Sequence, residues 1–349
     1  MSQRSMCAGD NWPTDEDLFG HRYGSVPNDL RSNRLLVLAW TEHYFGDDYL
    51  APKRVPNPNG PDIELTFTTD RDRLGDADAV WFHAPSVNDV PRRKEQPWIL
   101  MSMESDVNYP ALKNPAVLAQ FDHLMTYRLD SDIPCVYPNW HQYGTFLNPP
   151  PTRSGPSRGA LATFIASNSV LHRDSYVSEM LKYVSIDCLG ECLHNADIEA
   201  LGPAGWARGA WKGKLSVLPH YKFYLAFENS IATDYVTERI FHAFQSGVVP
   251  VYRGAPNIQD FVPEQDAVID AADFASPKEL AQYLRALDND DEAYARHLAW
   301  KHDGYSQNFE ALVNLGSVEP QWRMAVKLAH GCDHSCRCGG RLRQVGVLP

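Results

Sequence analysis

The chain has 349 residues, 44% of them apolar and 22% charged, and carries a formal net charge of −12. That length supports two domains with ample cores, and the mixture is that of a globular protein, not a disordered or fibrous one. The negative surplus argues against nonspecific association with nucleic acid or anionic membranes, which are themselves polyanions. In chain order, residues 1–32 are polar and broken by Gly and Pro, and read as a poorly ordered lead-in. Arg34 to Trp40 is a nearly continuous apolar run, the pattern of a buried strand. A loop rich in Pro and Asn, Pro52 to Pro61, separates it from an alternating strand over Ile63 to Phe67. Ala79 to His83 and Trp98 to Met103 form the third and fourth strands, and the fourth ends on Glu104-Ser105-Asp106. Ala116 to Phe121 reads as a short helix and His123 to Tyr127 as a further strand. Apolar runs such as Leu35 to Trp40 fall far short of the roughly 20 residues that span a bilayer, so no membrane segment is expected in this chain. No charged-then-apolar leader opens it, and it is expected to behave as a soluble polypeptide.

Strands alternating with short crossovers predict a first α/β domain over residues 33–150. The stretch from Asn148 to Gly159 is proline-stiffened and nearly devoid of apolar side chains, so the boundary is placed there, with a second domain over 151–330. That domain opens with a strand, Ala160 to Ala166, a loop at Ser167-Asn168-Ser169, a helix from about Arg173 to Tyr183 and a return strand from Ser185 to Leu189. Gly202 to Gly213 is a long irregular loop. Ala267 to Ile269 is a short strand, and Ser276-Pro277-Lys278-Glu279 is a capping box that starts a helix with Leu280, Leu284 and Leu287 inward. Asn289 to Glu292 repeats the box, a last helical stretch covers Gln321 to Ala329, and residues 331–349 form a cysteine-containing tail.

The most informative stretch is 221–256. Phe223 to Phe227 is apolar throughout and stops abruptly at Glu228-Asn229-Ser230. A helix from about Val236, closed at Ser246-Gly247, and a strand from Val248 to Tyr252 complete a βαβ unit. Ligands of such sheets sit beyond the strand carboxyl ends. This places Glu228, Asn229, Asp234, Tyr235, Thr237, Glu238 and Arg239 around one crevice at a helix N-terminus, where a diphosphate is the natural guest. The earlier βαβ unit brings Arg173 to the same face. There is no Gly-x-Gly-x-x-Gly and no P-loop, which weakens the dinucleotide and P-loop readings.

FENS, DYVTER and VVPVYRGAPNIQDF resemble the donor-binding signature of the α1,3-fucosyltransferases, and GAPNIQDF with the later WKHDG is similar to the plant-type branch acting on N-glycan cores. The resemblance covers residues 160–310 well and the first 150 weakly. It implies two Rossmann-like α/β domains facing a crevice, the GT-B architecture, and inverting transfer of fucose from GDP-fucose to the 3-hydroxyl of N-acetylglucosamine in a glycan or glycoprotein acceptor. A Lewis-type acceptor, or a non-catalytic glycan- or nucleotide-binding relative, is the alternative. By the same resemblance Glu104 is the general base, with Asp106 as runner-up because Asp106 stands where the family commonly has proline. Glu238 contacts the ribose, Asn229 and Tyr235 the pyrophosphate and sugar, and Arg173 and Arg239 the charge of GDP; Arg239 replaces the family's usual lysine. Each has a plainer alternative: a solvated carboxylate for Glu104, a surface ion pair for Arg239, a solvated helix residue for Arg173, and capping or packing for the others.

No cofactor and no divalent metal are implied, and the aspartate pairs Asp76/Asp78 and Asp130/Asp132 read as solvated turns. Relatives of the eukaryotic family sit in the Golgi lumen behind an N-terminal membrane helix. Cys188 with Cys192, and Cys332, Cys336 and Cys338 near the C-terminus, suit disulfides in such a compartment; free thiols, or zinc at the tail with His334, are the alternatives.

Overall fold

A computed structural model describes residues 32–43, 47–57, 61–87, 96–138, 145–151, 159–197, 211–316 and 318–329. The lead-in, most of the proline-rich linker, the long loop up to residue 210 and the cysteine tail lie outside the described residues. The chain divides into two compact units, with cuts at 141/142 and 311/312, so the segment from 312 onward belongs with the N-terminal part.

The first unit is built on β1 (Arg34–Ala39), β2 (Lys53–Val55), β3 (Ile63–Thr68), β4 (Ala79–His83), β5 (Trp98–Ser102) and β6 (His123–Thr126), in the order β2-β3-β1-β4-β5-β6. Every neighbouring pair is parallel except β2 with β3. β2 lies within the expected Pro52–Pro61 loop. It is three residues long, and pairing with Glu64 and its neighbours gives it a strand identity that its composition does not. The expected helix after Ala116 shrinks to α1 (Pro115–Leu118), started by the Asn114 side chain.

The second unit carries β7 (Ala162–Phe164), α2 (Leu171–Met180), β8 (Ile186–Cys188), α3 (Trp211–Val217), β9 (Phe223–Phe227), α4 (Glu238–Ser246), β10 (Val249–Arg253), β11 (Ile269–Asp270), α5 (Pro277–Asp288), α6 (Asp291–Arg296) and α7 (Trp300–Asp303). Its sheet is wholly parallel, ordered β11-β10-β9-β7-β8. β8 lies on one side of β7 and β9 on the other, so the winding reverses between β7 and β9. Phe223, Leu225 and Phe227 share one core with Val177 and Met180 of α2 and Leu280 and Leu284 of α5. The alternation of a strand turns Tyr224 to the opposite face, where α4 buries Ile240, Phe241 and Phe244. The capping box is present: Ser276 accepts from the Glu279 amide, and Glu279 accepts from the Ala275 amide. The second box is shifted by one residue, with Asp290 capping Ala293.

The cut near 311 falls in α8 (Gln307–Gly316), and α9 (Pro320–Ala329) corrects the expected 151–330 domain. Met324, Ala325, Val326 and Ala329 pack in one core with Val37, Leu65, Trp81 and Met101 of the first sheet. Arg323 donates to the carbonyls of Val318, Leu315 and Pro134. The helix thus supplies a missing apolar cover for a sheet almost 300 positions upstream.

WKHDG acquires a physical role. Lys301 is buried and donates to the carbonyls of Phe146, at 2.6 Å, and Asn148, at 3.2 Å; burial pulls its ammonium down to about 8. It ties residues 145–151 to α7. Gly247, the stop of α4, has φ +66, and a Cβ there would lie 2.7 Å from Pro150 Cα. Gly247→Ala therefore combines left-handed strain of about 1–2 kcal/mol with overpacking of about 1–3 kcal/mol. Chemical denaturation should show a loss in that combined range; an unchanged midpoint would mean that the linker contact carries no stability.

Candidate active site

The carboxyl ends of β7 and β9, where the winding reverses, hold the residues of interest, as expected for a ligand site in an open α/β sheet. β9 ends at Phe227, and Glu228 turns its carboxylate under the start of α4. Its side chain is buried, accepting from the Thr237 amide at 2.8 Å and from the Thr237 hydroxyl at 2.7 Å. This delays the helix from Val236 to Glu238, because Thr237 is held extended as the cap. Burial pushes the Glu228 carboxyl up to about 7, while Arg239 and Thr237 restrain the rise.

Arg239, in the first turn of α4, lies with its Nε 3.7 Å from Glu228 and donates from Nη1 to the Ile165 carbonyl at 2.9 Å. Burial works against its charge, but Tyr224, Glu238 and Glu228 outweigh burial and keep the guanidinium firmly protonated. It is not the surface ion pair of the plainer alternative, since its side chain is only 17% exposed. Arg173, in the first turn of α2, is sealed in. It donates to the Asn168 carbonyl, pairs with Asp174 at 3.4 Å and lies over the Phe164 ring. Both arginines therefore hold the loop after β7. They also feel one another: burial and then the Arg239 charge lower the Arg173 pKa.

Glu238 sits beside Arg239 and is partly exposed, with Lys214 of α3 at 3.5 Å. Against the cost of desolvation, Lys214, Arg239 and His242 bring its carboxyl down to about 2. Asn229 is half-buried and accepts from the Ser230 hydroxyl. Tyr235 is 1% exposed, and its carbonyl accepts from the Tyr252 hydroxyl. It packs beneath the loop. Glu104 lies in the first unit, at the carboxyl end of β5. Its amide and carbonyl both bond the Ser102 hydroxyl, and Asn108 donates to its Oε2 at 2.9 Å. Asp106, the runner-up, pairs with Lys113 at 3.3 Å.

Sequence reasoning missed three contributors. Lys214 had no local signal, His242 is reached only through the α4 turn from Glu238, and Asn257 was seen only as part of GAPNIQDF. Asn257 bonds the Asp234 amide at 3.0 Å, the Asp234 carboxylate at 2.8 Å and the Asp260 carboxylate at 2.9 Å. It holds Asp234 in the left-handed region, φ 64, an unusual place for a non-glycine residue. Cys188 and Cys192 are buried free thiols, not the expected disulfide; the Cys192 amide donates to the Ala166 carbonyl, and the next residue, Leu193, has φ 56. The aspartate pairs are structural: Asp78 accepts from the Leu36 amide, Asp132 from the Leu124 amide, and Asp130 pairs with Arg128. Among the described residues no group of three or more metal-ligating side chains converges, and no helix is long and apolar enough to cross a membrane.

Two parallel-rich α/β sheets are the architecture of the GT-B fold. Residues 156–334 match the family model "Glycosyltransferase family 10 (fucosyltransferase) C-term", and residues 32–138 match "Fucosyltransferase, N-terminal". The chain belongs to glycosyltransferase family 10, the fucosyltransferases. It is 33% identical over 234 residues to GDP-fucose protein O-fucosyltransferase 3 of Danio rerio (65% of this chain, 51% of that protein). It is 35% identical over 236 residues to the protein of the same name from Bos taurus (65% and 49%). The chain thus spans about half the length of these curated relatives. They are protein O-fucosyltransferases by name, and they do not support the narrower resemblance to plant-type N-glycan core enzymes. The fold resembles an α1,3-fucosyltransferase crystallised with GDP-fucose, at TM-score 0.55 and 16% identity over 85% of this chain and 90% of that one. The same enzyme type with GDP gives TM-score 0.53 at 16% identity, over 80% and 88%.

Asn257→Ala removes three hydrogen bonds from the Asp234 loop and should cost about 1–3 kcal/mol. Asn257→Asp should be worse, because it sets a third carboxylate between Asp234 and Asp260. Thermal unfolding and GDP affinity, measured together, check this; an aspartate variant as stable as wild type would deny Asn257 its organising role.

Proposed function

We propose that this chain transfers L-fucose from GDP-fucose to an acceptor hydroxyl with inversion. The observation that carries the reading is the cluster of Arg239, Glu238 and Lys214 at the switch point, in a chain whose family is that of the fucosyltransferases. The acceptor oxygen attacks C1 of fucose, the bond from C1 to the diphosphate oxygen breaks, and its electron pair leaves with GDP. Glu104 takes the acceptor proton. Arg239 and the N-terminus of α4 stabilise the departing diphosphate, as a charge-assisted donor and a helix dipole respectively. Glu238 takes the ribose. Arg173 acts on the same charge from behind, through the loop after β7. This set of fixed cations does the electrostatic work without a divalent metal.

For the acceptor we favour a hydroxyl on a polypeptide. The names of the curated relatives support it. GAPNIQDF, which favoured the N-glycan core, organises the Asp234 loop of the second unit through Asn257 and so speaks for the donor side. The 3-hydroxyl of N-acetylglucosamine remains the second reading, on the strength of the FENS and DYVTER signature, and a luminal Golgi setting suits either. Incubation with GDP-fucose and a panel of folded protein domains, peptides and N-glycans, with the product linkage read by mass spectrometry, separates the two. Transfer to glycans alone would overturn the polypeptide reading.

Glu104→Gln should keep GDP binding and lose transfer by about 10²- to 10⁴-fold, the usual contribution of a general base. Near-normal turnover would remove Glu104 from that role. Transfer should also persist in excess chelator, measured as GDP release dependent on acceptor; a loss restored by added metal would overturn the metal-free account.

A further inference from the structure

Three cations at the carboxyl end of the second sheet already have carboxylate partners inside the protein: Arg173 with Asp174 at 3.4 Å, Arg239 with Glu228 at 3.7 Å, and Lys214 with Glu238 at 3.5 Å. Their charge is balanced before any ligand arrives. A diphosphate entering beside Arg239 therefore meets a cation that is already neutralised, and it brings negative charge close to a carboxylate with no access to water. Of the three carboxylates, Asp174 lies in a first helical turn and accepts from the Ser169 hydroxyl and the Val170 amide, and Glu238 is partly exposed and faces Lys214. Glu228 alone is 1% exposed.

We propose that Glu228 is a proton-linked positioning residue of the donor site: as a carboxylate it orients Arg239, and it takes up one proton from solvent when the diphosphate of a nucleotide sugar binds. The inference rests on the donor-binding reading above. The groups facing Glu228 are Thr237, Glu238 and Arg239 at the start of α4, and the Tyr252 hydroxyl of β10, which is kept protonated by burial and then by Glu228 itself. Tyr252 is also fully engaged, donating to the Tyr235 carbonyl and accepting from the Ala255 amide, so it offers Glu228 no alternative charge. The surroundings tolerate both protonation states. Oε1 keeps the Thr237 amide, while Oε2 accepts from the Thr237 hydroxyl at 2.7 Å; once Oε2 is protonated, that hydroxyl can rotate and accept instead. The Glu228–Thr237 bond is kept, with its direction reversed. Gly254 leaves the room for this arrangement, since a Cβ there would meet the Tyr252 hydroxyl and lie 2.6 Å from Glu228 Cγ. Burial already brings the carboxyl to about 7, so added negative charge at Arg239 moves it through the neutral range.

The direction follows from linkage. The bound state holds more protons, so donor affinity rises as pH falls between the free and bound pKa values, and levels off below the free one. The test is calorimetric titration of the full chain with GDP-fucose, without acceptor, at pH 7.5 in HEPES and in Tris, whose ionisation enthalpies differ. GDP-fucose is the probe because its diphosphate is a diester that does not titrate near neutrality, whereas the terminal phosphate of GDP does. The expected result is uptake of most of one proton per donor bound, and affinity that tightens by up to about tenfold from pH 8 to 7. Glu228→Gln should bind with no uptake and a flat pH profile. Uptake that persists in Glu228→Gln would overturn the assignment in favour of His172 or His242, whose pKa values are lowered by burial first and by neighbouring cations. If Glu228→Gln does not fold, infrared difference spectra of the wild type decide: a new carboxyl C=O band on donor binding supports the proposal and its absence overturns it. Donor binding and transfer without proton uptake would overturn this inference alone, whereas failure to bind GDP-fucose would overturn the donor-site reading with it.

Discussion

The carboxylate of Glu228 beneath the N-terminus of α4 is the constraint on which the second unit is arranged. Taking an ion out of water costs several kcal/mol even after relaxation, and only good geometry returns it. Here the return comes from two hydrogen bonds to Thr237 and from Arg239 beside it. The consequences spread outward. Thr237 is fixed as the cap, α4 starts at Glu238, and the Arg239 guanidinium reaches back across the switch point to the Ile165 carbonyl. One buried charge therefore joins the carboxyl end of β9, the first turn of α4 and the loop after β7.

Around it, the loops are held by polar side chains instead of by secondary structure. Asn257 secures Asp234, Arg173 secures Asn168, and Lys301 secures the carbonyls of Phe146 and Asn148. Each is a buried or half-buried donor satisfied by backbone carbonyls or carboxylates, as buried polar groups require. The unit gains loops that keep their shape before a ligand arrives, and pre-organisation of this kind lowers the entropic cost of binding. Glu104 in the first unit is prepared in the same manner, with Ser102 fixing its backbone and Asn108 its carboxylate.

The family motif and the acceptor are separate questions in this molecule. Every residue of FENS, DYVTER and GAPNIQDF that makes a described polar contact makes it within the second unit. The first unit carries its own match, to the fucosyltransferase N-terminal model over residues 32–138. The stretch matched to the curated relatives covers about half of each of them.

By itself the sequence determined the parallel strands, because apolar runs such as Phe223–Phe227 and Trp98–Ser102 suit only a sheet covered on both faces. It also determined the stop at Gly247, the cap at Ser276, and the gathering of Glu228, Glu238 and Arg239 at one strand end, since these depend on neighbours a few positions apart. Tertiary structure decided what depends on distant partners. β2 exists only because β3 pairs with it, and α9 joins the first unit because its apolar face matches Val37 and Trp81. Tyr235 is buried in the loop that Asn257 fastens at Asp234, and Lys214 became the partner of Glu238 from another helix. Local rules fix which way a side chain leaves the backbone; what it meets there is set by the packing of segments that the chain order keeps apart.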